Sequence, residues 1–337
     1  MLRGSRDGFV ETLVSNAALL RRRIRDPRFS MELYGVGRRS RSDVAICYIS
    51  DSVDQSVLNR MRKLIQSIDV DALTMNIESL AECMFTHKWI NPFPKFKYSE
   101  RPDTATAAIL DGNIVIMVDN SPAVMIIPAS IFDIIEEADD FNFSPMIGSY
   151  LRITRFFFSI VTWILTPLWL LFVNNPDWVP EFMKFVLITD DITVPVLLQL
   201  LILELAVDGL KLAAVNTPTM LSTPLSIVAG IVVGEYAVSS GWFNPEALLY
   251  MAVVTVGTYG QTNFEMGYAF KFLRVLTLIL TQVFNLGGFI AGVVISVLMI
   301  AFNRTITGKS YIYPLIPWDG KMLKRKVLRV RLPHSYK

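Results

Sequence analysis

Residues 275–302 run VLTLILTQVFNLGGFIAGVVISVLMIAF without one charged side chain. About 20 apolar residues in a helix match the roughly 30 Å hydrocarbon layer of a bilayer, so a run of this length belongs in a membrane. A straight helix over all of it would reach about 42 Å. Asn285, Gly287 and Gly288 sit near the middle. Two segments joined by a break are therefore expected as readily as one tilted helix. A second uncharged run, Phe156 to Val173, is just long enough to span. Arg152 and Arg155 precede it, Trp163, Trp169 and Trp178 are candidate interface anchors, and Pro167 is a candidate kink.

The remaining polar residues are unevenly placed. Charge gathers in residues 1–155 and again from Lys321 to Lys337, while 156–302 is oily; this makes the chain 52% hydrophobic overall. The expected organisation is an α/β soluble domain over 1–150, cytoplasmic, then an α-helical polytopic membrane domain over 151–305, then a basic cytoplasmic tail over 306–337. A net charge of +2 averages opposite regions and says little. Two cysteines, Cys47 and Cys83, imply no disulfide framework, and two histidines far apart give no zinc spacing. Walker, nucleophile-elbow and HExxH patterns do not occur, so no catalytic residue, metal ligand or cofactor is expected and an enzyme is disfavoured. The start MLRGSRDGFV has no apolar core, so a cleavable signal peptide is not expected.

In the polar part, residues 9–25 carry apolar side chains at helical spacing with a basic end, closed by Pro27. A hairpin is expected from strands near 31–36 and 43–49. DQSVLNRMRKLIQSI places Val57, Met61, Leu64, Ile65 and Ile68 on one helical face. A helix over 104–111 leads to IVIMV (114–118) and AVMII (123–127), with DNSP between them as a hairpin turn. The arginine clusters 21–23 and 38, 39, 41 read as a solvated cytoplasmic face, compatible with anionic lipid head groups; nothing else suggests nucleic acid.

In the oily part, 194–214 carries charge, 225–242 is a candidate span containing Glu235, and 247–259 is short enough for a half-span. Lysine and arginine flank both ends, which places both termini in the cytoplasm and requires an even number of crossings. About four full crossings plus one or two short or in-plane segments are expected.

The stretch LILELAVDGLK raises the functional question. Glu204, Asp208 and Lys211 lie along one helical stripe in an otherwise apolar segment. Charge at bilayer depth costs about 2.5–3.5 kcal/mol on insertion scales, so such groups face a partner or water. Three readings are open: a structural ion-pair seam in which the lysine neutralises one acid, a wet face of an in-plane helix, or acids lining a cation path in a ring of subunits. Glu235, beside Gly230 and Gly234 in a small-xxx-small pattern, is either a buried hydrogen-bonded carboxylate or a vestibule acid. Gln261, Thr262, Asn263 and Glu265 form a solvent loop or a pore mouth. Thr277, Thr281, Gln282 and Asn285 share a face that either lines a pore or bonds between helices.

Several stretches together resemble the GerA family of spore germination proteins. RGSRDGFVETLVSNAALLRRRIRDPRF is similar to its R-G-P-R-E motif region, VGRRSRSDVAICYI to its basic hairpin, NPFPKFKYSERPD to its T-E-R-P-D signature and LDGNIVIMVDNSPAVMIIP to its V-D-G-(S/T)-P segment. IGSYLRITRF and LELAVDGLK match its membrane part. NTPTMLSTPLSIVAGIVVGEYAV and PEALLYMAVVTVGTYGQTNFEMGYAFKFLRV are most similar to the branch of stage V sporulation protein AF. The family's motif places acid, acid and base at 204, 208 and 211 without choosing among the three readings. The resemblance implies a multi-pass protein of the spore inner membrane, a homo-oligomer with a pentamer as the suggested form, conducting monovalent cations during germination. Its implied partners are a second multi-span protein, other germination proteins and membrane lipids. The alternative is a receptor or scaffold that conducts nothing; a secondary transporter is disfavoured because 156–215 and 225–302 show no internal similarity. Two departures stand out. The family proline is replaced in Arg3-Gly4-Ser5-Arg6, and the motif opens this chain, so a fragment or a missing upstream half-domain is expected.

Overall fold

The structure is a computed structural model that describes residues 5–85, 91–216, 230–303, 305–306, 308 and 310–330. Two compact units emerge, one from residues 1–153 with 300–337, the other from 154–299.

The first unit is built on a five-stranded antiparallel sheet of order β1-β2-β4-β5-β3, from β1 (Phe29–Val36), β2 (Ser42–Ile49), β3 (Lys97–Ser99), β4 (Ile114–Val118) and β5 (Val124–Ile127). Side chains alternate between faces along a strand. Val44, Ile46 and Tyr48 of β2 therefore enter one core, and Ala45, Cys47 and Ile49 the other. Helices α2 (Gln55–Gln66) and α3 (Ile77–Met84) cover the first face through Leu58, Met61, Ile65, Leu80 and Met84. Helices α1 (Leu13–Arg23) and α4 (Pro102–Leu110) cover the second through Leu13, Leu20, Ala105 and Ile109. With both faces covered, every residue of IVIMV in β4 is buried. The expected hairpins are present, with Phe29 opposite Ile49 and Ile114 opposite Ile127.

The same unit holds a polar clamp. Helix α5 (Ile131–Ile135) starts on a capping box between Ser130 and Asp133. The first turns of α6 (Pro145–Asn174) carry Arg152, only 1% exposed, which donates to Glu136 at 2.7 Å and to the carbonyls of Arg325 and Lys326 at 2.9 and 3.0 Å. Those carbonyls belong to α10 (Gly320–Val327), whose Lys326 pairs with Asp133. Burial pushes the Asp133 carboxyl up, but Lys326 and Ser130 outweigh it and hold it below the ordinary carboxylate value. The described part of the basic segment after residue 305 thus packs into the α/β unit.

The second unit is helical. It contains most of α6, then α7 (Val196–Asn216), α8 (Pro245–Tyr259) and α9 (Phe264–Ala301), with a π-helical stretch Gly230–Tyr236 ahead of α8. Contacts fix the run of each helix. Gly257 near the end of α8 abuts Phe158 and Thr162 of α6, while Tyr250 stacks on Trp169 at 4.8 Å, so α8 runs against α6. Gln199 in the first turn of α7 exchanges hydrogen bonds with Asn244, just ahead of α8. Lys211, in its fifth turn, reaches Tyr259 at the end of α8. Helices α7 and α8 therefore run the same way.

Helix α9 is two limbs. Asn285 takes φ 53° and ψ −130°, outside helical values. A Cβ on Gly288 would fall 1.8 Å from the carbonyl oxygen of Leu280, and one on Gly292 would fall 2.9 Å from Cα of Thr277. Residues 277 and 292 would stand about 22 Å apart in a continuous helix, so the chain reverses and the two limbs pack antiparallel. Asn285 exchanges a pair of amide hydrogen bonds with Asn175, at 2.6 and 2.9 Å, at the end of α6. The second limb then returns toward the end of the unit where α6 begins.

Among the described residues two helices, Pro145–Asn174 and Phe264–Ala301, are long and apolar enough to cross a membrane. The expectation of four full crossings is not confirmed, because among the described residues these two helices alone meet that test. The expected span at 225–242 lies partly outside the described residues, as does the end of the basic tail. Gly230 and Gly234 have no neighbour within 4 Å of a would-be Cβ among the described residues, so the expected close helix approach is not seen there. One prediction follows from the hairpin. Gly288→Ala should abolish a monodisperse detergent-solubilised protein on size exclusion, because the methyl group meets backbone; Gly287→Ala, in open space, should elute as the unaltered chain does.

Candidate functional site

Helix α7 is apolar except for its charged stripe, and α9 supplies what that stripe needs. Glu204 is 4% exposed and Arg274 3% exposed. Arg274 Nε donates to Glu204 Oε1 at 2.5 Å and Nη2 donates to Oε2 at 2.8 Å, the paired geometry that suits guanidinium and carboxylate. Its third nitrogen, Nη1, donates to the Thr162 carbonyl of α6. Lys271 lies one turn earlier on α9. Its ammonium pairs with Asp208, donates to the Glu204 carbonyl at 3.0 Å and stands 3.5 Å from Glu204 Oε2. The i, i+4 acids of α7 thus meet the i, i+3 bases of α9 across an antiparallel contact.

Of the three readings the sequence leaves open, the ion-pair seam pairs Lys211 with one acid. The structure places Lys211 elsewhere: its ammonium lies 5.3 Å from the Tyr259 ring centre and 5.5 Å from that of Tyr268, within cation–π range. No carboxylate oxygen of a described residue lies within 4 Å of it. Lys271 and Arg274, the actual partners, had not been singled out. The signal was available, since carboxylates in an apolar helix call for partners, and KFLR offers two bases at matching helical spacing.

Beside this row is a cavity of about 170 Å³ between α7, α8 and the first limb of α9. Its wall includes the charged row together with Thr255, Thr258, Gln261 and the two tyrosines. Asp208 Oδ1 is buried there without a hydrogen-bond partner. Gln261 joins α6 by donating to Ser159 Oγ at 3.1 Å.

The other candidates are dispersed. Asn263 caps α9, accepting from the Met266 amide at 3.0 Å, and Glu265 is exposed in its first turn. Glu235 is exposed in the π-helical stretch, so a buried carboxylate is not its state here. Gln282 is exposed, and Asn285 is taken by Asn175. Thr277 and Thr281 are buried and donate to carbonyls four residues back, packed at the limb contact near Gly292. Among the described residues no group of three or more His, Cys, Asp or Glu side chains could hold a metal ion.

Removing one partner of a buried ion pair leaves an uncompensated charge, at a cost of about 3–5 kcal/mol. Arg274→Met should therefore lower the thermal midpoint of the detergent-solubilised chain markedly. The double change Glu204→Met with Arg274→Met should recover most of the loss. Equal midpoints for the single and double variants would show that the pair carries no coupling.

Comparison with known proteins gives a consistent set. The model of the Bacillus/Clostridium GerA spore germination protein family matches residues 1–337. Stage V sporulation protein AF of Bacillus subtilis (strain 168) is 38% identical over 99% of this chain and 67% of its own length. Spore germination protein XA of Bacillus anthracis is 27% identical over 94% of this chain and 64% of its own length. This chain thus spans about two thirds of the curated relatives it matches. Among solved structures, the N-terminal domain of the A subunit of the Bacillus megaterium spore germinant receptor GerK3 is similar at 32% identity, over 36% of this chain and 94% of that one, with a TM-score of 0.29.

Proposed function

Because this chain belongs to the GerA family of spore germination proteins, we propose that it is a membrane subunit of a bacterial spore germination complex. In this reading it assembles into a homo-oligomer, a pentamer by family resemblance, that conducts monovalent cations. Residues 151–305 are the membrane domain, and 1–150 with the basic 306–337 segment lie in the cytoplasm. About four full crossings, with one or two short or in-plane segments, are drawn from α6, α7, α8 and the two limbs of α9. An even number puts both ends on one side, and the flanking lysines and arginines favour the cytoplasmic one. Other germination membrane proteins and lipids are the partners.

The observation that carries the reading is the charged row of α7 and α9, set among apolar helices and open to a polar cavity. Ionisable groups at such depth mark ion pathways or bundle interiors. Asp208, with one oxygen unpartnered, is the acid placed to meet a cation, and repeated around a ring it would form an acidic girdle. Exposed Glu235 and Gln282 would then face neighbouring copies or solvent. A second reading, a receptor or scaffold that conducts nothing, is favoured by one specific feature. Glu204 is fully compensated by Arg274, as a structural seam requires.

The test is potassium efflux from liposomes holding the full chain, with its oligomeric state checked by native mass spectrometry. Efflux above protein-free liposomes, reduced severalfold by Asp208→Asn without loss of the oligomer, is the expected result. Tight liposomes around a well-formed oligomer would select the scaffold.

A further inference from the structure

The cavity beside the charged row has a charge imbalance. Lys211, Lys271 and Arg274 line it against Glu204 and Asp208, three cations to two carboxylates, which leaves +1. Both carboxylates are engaged by α9, so the surplus resides on Lys211. Its ammonium is held between two tyrosine rings rather than at a carboxylate. A second group is unsatisfied in the same space: Asp208 Oδ1, buried and lacking a donor. A ligand that fits must bring an anion for Lys211 and a hydroxyl for Asp208.

The position along the helices narrows the choice. Lys211 lies in the last turns of α7, Tyr259 ends α8 and Tyr268 stands in the second turn of α9. All three are at one end of the helical unit, the end where the chain enters through α6 and to which the second limb of α9 returns. Lysine with paired tyrosines at helix ends is the composition of a membrane–water interface. Basic pockets between membrane helices on the cytoplasmic side suit anionic lipid head groups. The cavity of about 170 Å³ also has apolar wall from Val207, Val254 and the exposed Phe264.

We propose that this cavity binds a hydroxylated phosphate ester, the glycerol phosphate head group of an anionic phospholipid, with phosphate on Lys211 and a glycerol hydroxyl donating to Asp208 Oδ1. The proposal rests on the helical unit lying in a bilayer, but not on ion conduction. The carboxylates oppose a bare anion, so inorganic phosphate should bind more weakly than the ester.

The test uses the full chain extracted from vesicles of phosphatidylcholine with phosphatidylglycerol and examined by native mass spectrometry. The unaltered chain should retain phosphatidylglycerol over phosphatidylcholine. Lys211→Met should weaken that retention about fivefold, one interfacial cation being worth about 1 kcal/mol. Lys211→Arg should keep it, which separates lost charge from lost fold, and Lys321→Met, on α10, should leave it unchanged. Retention of phosphatidylglycerol by Lys211→Met at the unaltered level, or equal retention of both lipids by the unaltered chain, overturns the proposal. A Lys211-dependent rise in thermal midpoint with free glycerol phosphate, without lipid retention, overturns the lipid source and assigns the site to a soluble ester. Release of the chain by carbonate wash would instead overturn the membrane reading itself, and this proposal with it.

Discussion

The Glu204–Arg274 pair is the interaction on which the helical unit depends. Two charges removed from water are held together only if geometry and hydrogen bonding are good, and here both carboxylate oxygens are taken by one guanidinium. The remaining nitrogen donates to Thr162, so one side chain on α9 binds both α7 and α6. Apolar packing between helices is permissive about rotation and register. A buried ion pair is not, because sliding α9 by one residue against α7 would strand both charges. Specificity rather than net stability is what such a pair contributes most clearly.

The second constraint is the reversal at Asn285. A non-glycine residue at φ 53° is rare, and asparagine is among the side chains that tolerate it. The amide pair with Asn175 satisfies polar atoms that would otherwise be left in an apolar setting. Gly288 and Gly292 then let the second limb approach the backbone of Leu280 and Thr277. Composition alone could not decide between a long tilted helix and a hairpin, since both bury the same apolar residues. The decision lies in a few positions where a Cβ would collide, and those are visible only once the partner strand of chain is in place.

The α/β unit was more legible. The continuous apolar runs of β2, β4 and β5 are direct consequences of a sheet covered on both faces, and DNSP reads as a turn from its residues. Short elements were not read: β3 has three residues, and α3 has only eight, although its Ile77, Leu80, Ala81 and Met84 recur at helical spacing. The fate of the segment after residue 305 was also hidden. Its basic character suggests a solvated tail, but Lys326 and the carbonyls beneath Arg152 need partners that are distant in sequence. In the charged row, the acids could be identified from α7 alone. Their true bases could not, because helical spacing within α7 makes Lys211 the obvious partner until α9 is laid against it.

That exchange of partners bears on conduction. A path for cations needs acids that are free, at least in turn, whereas here Lys271 and Arg274 occupy both and Lys211 adds a positive charge to the cavity. In this conformation the cavity repels a passing cation. Any conducting state must move Lys271 off Asp208, or bring further carboxylates from neighbouring copies, and Lys271 is the cheaper of the two bases to move. It is the more exposed, and it holds Asp208 by a single ammonium rather than by a guanidinium fork. To pass from almost all closed to almost all open, a signal has to favour the displaced state by about 5.5 kcal/mol. Bound as proposed, an anionic head group at Lys211 would work on the same balance: by neutralising the surplus charge it would lower the barrier to a cation near Asp208 in a conducting state without touching the Glu204–Arg274 seam.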